Sequence, residues 1–377
     1  MTQVHERPTR TGDAGSGVNG SGINDLGIND LGINGSGING LAASWYVAMP
    51  AQRLRAEPVA LRLFGQDLVA WRDGAGRPVI MPRYCPHQGA SLAIGSVADG
   101  CLRCPFHGWR FDATGTCVLI PGSPHIPSTA ALEPYPSVER YGYVWAWYGG
   151  GEPLFELPDF PALEGDRDSY VGFRYADRTT GTARLLLENA IDYFHFVTLH
   201  GLELDPMEFR VLRDPLEASD NGAPIAADAW FGAWFDGAFR PYSLFRNPLK
   251  RLAHATATFA AGAHLQLLVD GWPGGQRFTA YVDGREIYKV FLALTPVDDR
   301  RTSQLGWAAV RRTGHAWRTL FNLLVLYGGS RVGTAQDMPI YHTTEAAAGG
   351  FHVPYDRGVL EFRRYYQSWV DRAGGSP

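Results

Sequence analysis

Two short stretches of the chain carry the side chains best suited to soft or borderline metals. They are Cys85-Pro86-His87 and, sixteen residues later, Cys104-Pro105-Phe106-His107-Gly108-Trp109. Each supplies one thiolate and one imidazole. A zinc site made from two cysteines and two histidines usually pairs like with like, with two or more residues between partners, so that four ligands close a tetrahedron on one ion. Here a single residue separates Cys85 from His87. In an extended turn that spacing suits two neighbouring metals better than one. A two-iron, two-sulfide centre with cysteine on one iron and histidine on the other fits it, and a structural zinc ion is the alternative. A second set of groups lies in residues 182–200, where Glu188, Asp192, His195 and His200 fall in a run without glycine or proline between its ends. On a 3.6-residue helix Glu188, Asp192 and His195 share a face. His195 and His200 do not quite share one, and both reach one ion only if the helix bulges or unwinds near Thr198. Taken alone, two histidines on an apolar helix are more often core residues.

The elements that must position these groups are legible in outline. Short strand-like runs at 44–49, 61–64, 67–71 and 79–81, punctuated by glycine and proline, lead up to the first cysteine. Beyond the second histidine, 111–115 reads as a hairpin turn and 141–147 alternates like a half-buried strand. A two-loop site needs such an all-β framework, because loops alone do not hold four ligands in register. Gly149-Gly150-Gly151-Glu152-Pro153 reads as an exit linker that the proline-rich 157–161 continues. Alternating runs at 257–260, 263–269, 278–282, 288–294 and 304–310 predict an antiparallel sheet, and a helical run comes after them over about 316–327. The expected organisation is a low-complexity tail at 1–40, a first domain at 41–150, a linker at 151–165 and a second domain at 166–377.

Composition sets the bounds. A chain of 377 residues that is 45% hydrophobic and 12% aromatic can bury a large core, and two domains are expected. A net charge of −4 gives no support for nucleic-acid binding, and no apolar run reaches the roughly 20 residues of a membrane helix. Residues 1–10 lack a signal-peptide core, so the expected compartment is the cytoplasm. From Gly17 to Gly40 a five-residue Gly-Val/Ile-Asn unit repeats. So few copies without a cap can hardly bury a core, and disorder is favoured over a β-solenoid. Within it, Gly35-Ser36-Gly37-Ile38-Asn39-Gly40 matches a dinucleotide fingerprint, but no strand precedes it, so no nicotinamide or flavin domain is expected. Two of the four cysteines remain outside the metal motif; Cys101 and Cys117 read as free thiols, with a disulfide between them as the alternative.

Cys85, His87, Cys104 and His107, with their prolines and the trailing Gly108-Trp109, resemble the Rieske motif. The resemblance implies that the two cysteines hold one iron of a [2Fe-2S] cluster and the two histidines the other. Gln88 stands where many oxygenase members carry arginine, which removes a charged contact near His87. Imidazole ligation raises the potential of such a cluster, so an acceptor is expected downstream. The spacing of Asp192, His195 and His200 resembles the mononuclear Fe(II) site of Rieske non-haem iron oxygenases, in which two histidines and a distant carboxylate form a facial triad. Asp337, within Ala335-Gln336-Asp337-Met338-Pro339-Ile340-Tyr341, is the best match for the carboxylate, and Glu345 is its rival. By the same resemblance Asp192 is not a ligand. It bridges a ligand imidazole to a cluster histidine of a neighbouring subunit, which implies a head-to-tail homotrimer. His264, His315, His342 and His352 are left as surface or core residues.

The likeness extends over about 41–372 and implies an α+β fold: a small all-β Rieske domain, then a helix-grip catalytic domain in which an antiparallel sheet wraps a long helix. Residues 41–49, 140–148 and 368–372, and the pair Glu188-Asn189 ahead of the iron motif, are similar to members that oxidise an arylamine to a nitroarene. Asn189 joins Asp192 as a candidate catalytic residue on that ground. Residues 355–363 are similar to ketosteroid hydroxylases, and prodiginine-cyclising oxygenases share the scaffold. The resemblance implies an oxygenase of secondary metabolism acting on an aromatic or hydrophobic small molecule, using O2 and electrons from a separate ferredoxin or flavin reductase. An electron carrier or iron–sulfur sensor is the reading from another class, and it needs no second metal.

Overall fold

The computed structural model describes residues 40–201, 204–239, 263–345 and 350–374, which belong to one compact unit. The repeat tail, apart from Gly40, and the run expected at 257–260 lie outside the described residues.

The first part is all β. Strand β1 (Ser44–Pro50) pairs with β10 (Tyr143–Tyr148), and β10 pairs with β9 (Ser137–Arg140). β2 (Val59–Leu63), β3 (Gln66–Arg72) and β4 (Pro78–Pro82) form a meander, and β5 (Ser96–Ala98), β6 (Cys101–Arg103), β7 (Arg110–Phe111) and β8 (Cys117–Leu119) form a second one. The last strand starts two residues later than its alternation predicts. Tyr141 and Gly142 both have positive φ, 59° and 74°, and make the tight β9–β10 turn instead, whose two central positions demand that region. At 112–115 the expected turn forms: Asp112 Oδ1 accepts from the backbone N–H groups of Thr114 and Thr116 at 2.9 and 3.1 Å.

The second part is a seven-stranded antiparallel sheet. Its strands are β11 (Tyr170–Thr179), β12 (Leu204–Val211), β13 (Phe231–Phe239), β14 (His264–Trp272), β15 (Gly275–Val282), β16 (Arg285–Asp298) and β17 (Arg301–Arg311). The order across the sheet is β11-β17-β16-β15-β14-β13-β12. Between β11 and β12 come two short helices, α1 (Ala183–Asn189) and α2 (Tyr193–Thr198), and after β17 come α3 (Ala316–Thr343) and α4 (Arg357–Gly374). Helix α3 lies against β11 and β17, where Leu323 and Leu326 pack on Phe173, Val290, Ala308 and Val310. It is 28 residues long and runs well past Tyr327, through Gly328, Gly329, Gly333 and Pro339. Local propensity argues for an end at the paired glycines, about 1 kcal/mol each, and packing along the sheet outweighs it.

The two parts share a core. Trp145 and Trp147 of β10 lie in one buried cluster with Trp272, Phe291 and Trp369. Backbone bonds cross it as well, from Ala43 N–H to Trp369 O at 2.9 Å and from Phe64 N–H to Pro296 O at 3.1 Å. Inside the sheet, Arg277 and Asp270 form a fully buried pair, 0% exposed on both sides, and Asn221 and Trp230 satisfy the remaining carboxylate sites.

Candidate metal centres

The four cluster candidates stand on two loops built alike. Cys85 N–H donates to Ala90 O and Gly89 N–H to Cys85 O, both at 2.9 Å; Cys104 N–H donates to Trp109 O at 2.8 Å and Gly108 N–H to Cys104 O at 3.1 Å. Each loop therefore closes with the same two bonds at the same offsets. Each also needs a glycine in the left-handed region at its fifth position, with φ of 71° at Gly89 and 74° at Gly108. The sequence carries this as Cys-Pro-x-x-Gly written twice, with histidine moved by one place, a repeat that attention to the ligands alone passes over.

The loops sort their ligands by burial. Cys85 and Cys104 are each 2% exposed, whereas His87 and His107 are at the surface with ring centroids 4.7 Å apart. Trp109 stacks on His87 at 4.6 Å and 7°. Burial pushes the Cys85 thiol up to about 11, with the neighbouring Cys104 adding to the effect, so thiolate forms there only when a metal takes the proton's place. Among the described residues, the three-ligand group gathered tightly enough for one ion does not include any of these four. A thiol pair inside and an imidazole pair outside fit a two-metal cluster and not a single tetrahedral zinc. Cys101 and Cys117 are free thiols, as expected.

The second site is assembled from separate elements. Thr182 caps α1, its Oγ1 accepting from Leu185 N–H at 3.2 Å, and Asp192 caps α2, its Oδ1 accepting from Phe194 N–H at 3.0 Å. A first helix break thus falls at 190–192, ahead of both histidines, because Asp192 takes an extended conformation and starts a new helix, and the unwinding expected near Thr198 follows it. Helix α2 then ends at Thr198, which frees His200 from the helical period and turns it toward His195. Asp337 comes from α3, and the ligand atoms of His195, His200 and Asp337 all lie within 4.8 Å of one another.

The polar groups around this trio hold it ready. His195 Nδ1 is hydrogen-bonded to the backbone carbonyl of Asp192, and His200 Nδ1 to Gln336 Oε1 at 3.0 Å. Both rings thereby turn Nε2 to the site. Asp337 Oδ1 is buried without a hydrogen bond, although His200 Nε2 stands 3.3 Å away. A buried carboxylate oxygen in that state calls for a cation. Burial, more than the nearby His200, lowers the pKa of His195 and favours the neutral imidazole that a metal requires. The donor set of two imidazoles and one carboxylate fits a mononuclear iron with open positions.

The remaining candidates fall around the trio or away from it. Asn189 Nδ2 lies 3.2 Å from His195 Nε2. The Asp192 carboxylate is not in the trio, and Glu345 is exposed beyond the end of α3. Glu188 is buried and paired with Arg184 and, at 3.0 Å, with Arg363 of α4, which ties α1 to the C-terminal helix. Gln336 is a contact that sequence reasoning misses, although its place beside Asp337 is the signal that could have found it. His264 sits 3.3 Å from Asp236 and His352 3.7 Å from Asp356, and His315 and His342 are exposed.

Comparison with known proteins agrees with both centres. Residues 44–135 match the family model of the Rieske [2Fe-2S] domain. Aminopyrrolnitrin oxygenase of Pseudomonas fluorescens is 36% identical over 341 residues, 88% of this chain and 92% of that one. Cholesterol 7-desaturase of Bombyx mori is 34% identical over 166 residues, 42% of this chain and 36% of that one. The crystal structure of dicamba monooxygenase bound to 3,6-dichlorosalicylic acid superposes with a TM-score of 0.66 at 18% identity, covering 89% of this chain and 99% of that one. The chain belongs to the Rieske non-haem iron oxygenases. It is an oxidoreductase whose cofactors are a [2Fe-2S] cluster and a mononuclear iron. No helix among the described residues is long and apolar enough to cross a membrane.

Proposed function

We propose that this oxygenase uses O2 to convert an aromatic amine to a nitroarene, as a step of secondary metabolism such as antibiotic biosynthesis. The observation that carries the reading is 36% identity to aminopyrrolnitrin oxygenase along 88% of the chain, through the iron site as well as the cluster. In this reading residues 41–150 form the cluster domain, 151–165 the linker and 166–377 the catalytic domain. Cys85 and Cys104 hold one iron of the cluster and His87 and His107 the other; His195, His200 and Asp337 hold the mononuclear iron. When bound, the cluster supplies electrons singly and the mononuclear iron supplies the place where O2 is reduced beside the substrate.

The chain's own residues do the rest. The Asp192 carbonyl and Gln336 fix the two imidazoles, and the buried Asp337 oxygen completes a face of three ligands. Phe196, edge-on to Phe235 at 5.7 Å, belongs to an aromatic wall beside His195 that suits a flat apolar substrate and excludes water. The Asp192 carboxylate, half-exposed at the head of α2, keeps an acceptor oxygen for a cluster histidine of a neighbouring subunit in a head-to-tail homotrimer. Electrons enter from a separate ferredoxin or flavin reductase, and the compartment is the cytoplasm. The test is oxygen-dependent product formation with a surrogate reductase, against an arylamine and a panel of polycyclic aromatics and steroids. Nitroarene from the amine with no oxidation of the others supports the reading; hydroxylation or cyclisation of a polycycle with the amine untouched replaces it.

A further inference from the structure

Helix α3 is apolar on two sides in its first half. Leu323 and Leu326 pack on the sheet, while Trp317, Leu320, Leu324 and Tyr327 are between 51% and 66% exposed. Their spacings of three, four and three residues set them in one stripe along the helix. A surface helix ordinarily turns polar residues outward, and α4 does so: its exposed positions among the described residues are Arg357, Arg364, Ser368, Asp371 and Arg372. The stripe is thus peculiar to α3. Cations frame it. From Arg300 to Gln336 the sequence carries six arginines and no aspartate or glutamate, in a chain whose net charge is −4. Arg312 and Arg318 flank Trp317 in the sequence, are exposed, and among the described residues are paired with no carboxylate. The Arg318 guanidinium lies 5.1 Å from the centre of the Trp317 ring. Asp166 and Asp177 are already paired, with Arg311 at 3.8 Å and Arg331 at 3.0 Å. The loop ahead of the helix is fixed, since Thr313 N–H donates to Thr319 Oγ1 at 2.9 Å.

We propose that this stripe is an interaction surface for a lipid bilayer containing anionic phospholipid, against which the first half of α3 lies at headgroup level. A helix seated in that way buries leucines at the acyl boundary, keeps tryptophan and tyrosine among the headgroups, and sets cations against lipid phosphates. Trp317 and Tyr327 stand at the two ends of the stripe with Leu320 and Leu324 between them, and the unpaired arginines adjoin its first turn. Charge argues against a second copy of this chain as the occupant. Two copies meeting about a twofold axis through the stripe would set the same unpaired arginines against each other. The stripe ends ten residues before Asp337, about 15 Å along the helix, so a bilayer there brings the reservoir of an apolar substrate to the helix that carries the proposed ligand. The docking itself does not depend on that ligand assignment.

The experiment floats the cluster-loaded full chain with phosphatidylcholine vesicles and with vesicles of phosphatidylcholine and phosphatidylglycerol in equal parts, at low and at high salt. Wild type is expected to rise with the mixed vesicles at low salt and to stay behind with the neutral ones. Arg312→Gln combined with Arg318→Gln is expected to weaken binding about thirtyfold, the scale for two cations leaving an anionic surface. Leu320→Ser combined with Leu324→Ser is expected to weaken it about a hundredfold, the scale for two leucines no longer buried. All four positions are exposed, so cluster absorbance and elution volume in gel filtration should match wild type. The arginine pair decides the matter even if the leucine variant misfolds. Wild type that does not float overturns the proposal; if the folded leucine variant then elutes later than wild type, the stripe is a contact between copies. Equal flotation with neutral vesicles also overturns it, because anionic lipid is then not what is recognised. So does mixed-vesicle binding untouched by either pair of substitutions, which would place the contact elsewhere.

Discussion

The two metal centres are built in opposite ways. The cluster loops are local: each spans six residues, closes on itself with two backbone bonds, and repeats the other. The mononuclear site is composite. In the ligand assignment we propose, it draws His195 from α2, His200 from just beyond it and Asp337, 137 residues downstream of His200, from α3, and the three are held in place by a cap, a glutamine and a buried ion pair contributed from several elements. A local site depends on its own loop geometry, whereas a composite one depends on the packing of the domain, so damage should spread differently in the two.

The largest expected effects test whether the centres are independent. Cys104→Ser should abolish the cluster, removing acid-labile sulfide and the red-brown absorption; zinc at one per chain without sulfide in the wild type would overturn the two-metal assignment. His195→Ala should keep the colour and lose turnover entirely, and residual oxygenation would mean that the trio is not the reactive centre. Next in size is the link between them. Asp192→Asn should retain both metals, since the cap survives, while electron delivery from a pre-reduced cluster slows by orders of magnitude in single-turnover experiments. Hybrid trimers of Asp192→Asn and Cys104→Ser chains sharpen this: cross-subunit transfer makes activity depend on the identity of the neighbour, and intrachain wiring does not.

Smaller effects probe the difference in construction. Glu188→Gln leaves Arg363 and Arg184 without their carboxylate and should destabilise the fold by about 3 kcal/mol in denaturant titration, the scale for breaking a buried pair. Metal occupancy at the trio should fall while the cluster spectrum holds. Gly89→Ala meets no atom within 4 Å, so its cost is the left-handed backbone alone, about 1 kcal/mol, and it should weaken cluster retention without touching Co(II) affinity at the trio.

The same contrast explains what can be read from the sequence. The cluster loops are legible because ligands and spacing lie within a few residues, and the strands around them alternate cleanly. The trio is legible only through the resemblance, since no local pattern joins His200 to Asp337. Sequence reasoning foresees the unwinding near Thr198, where α2 ends, and misses the earlier break at 190–192, because Asp192 looks like a member of a helix face and is instead a cap. It also ends helix α3 short of Gly328-Gly329, where the local penalty is visible and the sheet beneath is not. Strands β11, β12 and β13 escape it; β13 interrupts its apolar residues with Gly232 and Gly237, and Gly232 is required there because the Trp230 ring lies 2.3 Å from where a Cβ would be.

The tryptophan-rich core common to both parts bears on how the molecule can be taken apart. Trp145 and Trp147 are 0% and 1% exposed because Phe291 and Phe155 lie against them, with Trp272 and Trp369 beyond in the same cluster. A fragment ending near residue 150 would uncover that indole face to water and aggregate, so the cluster-bearing half is no portable electron-transfer cartridge. Grafting it onto another oxidase would mean carrying the sheet with it, or repainting its inner face with polar side chains.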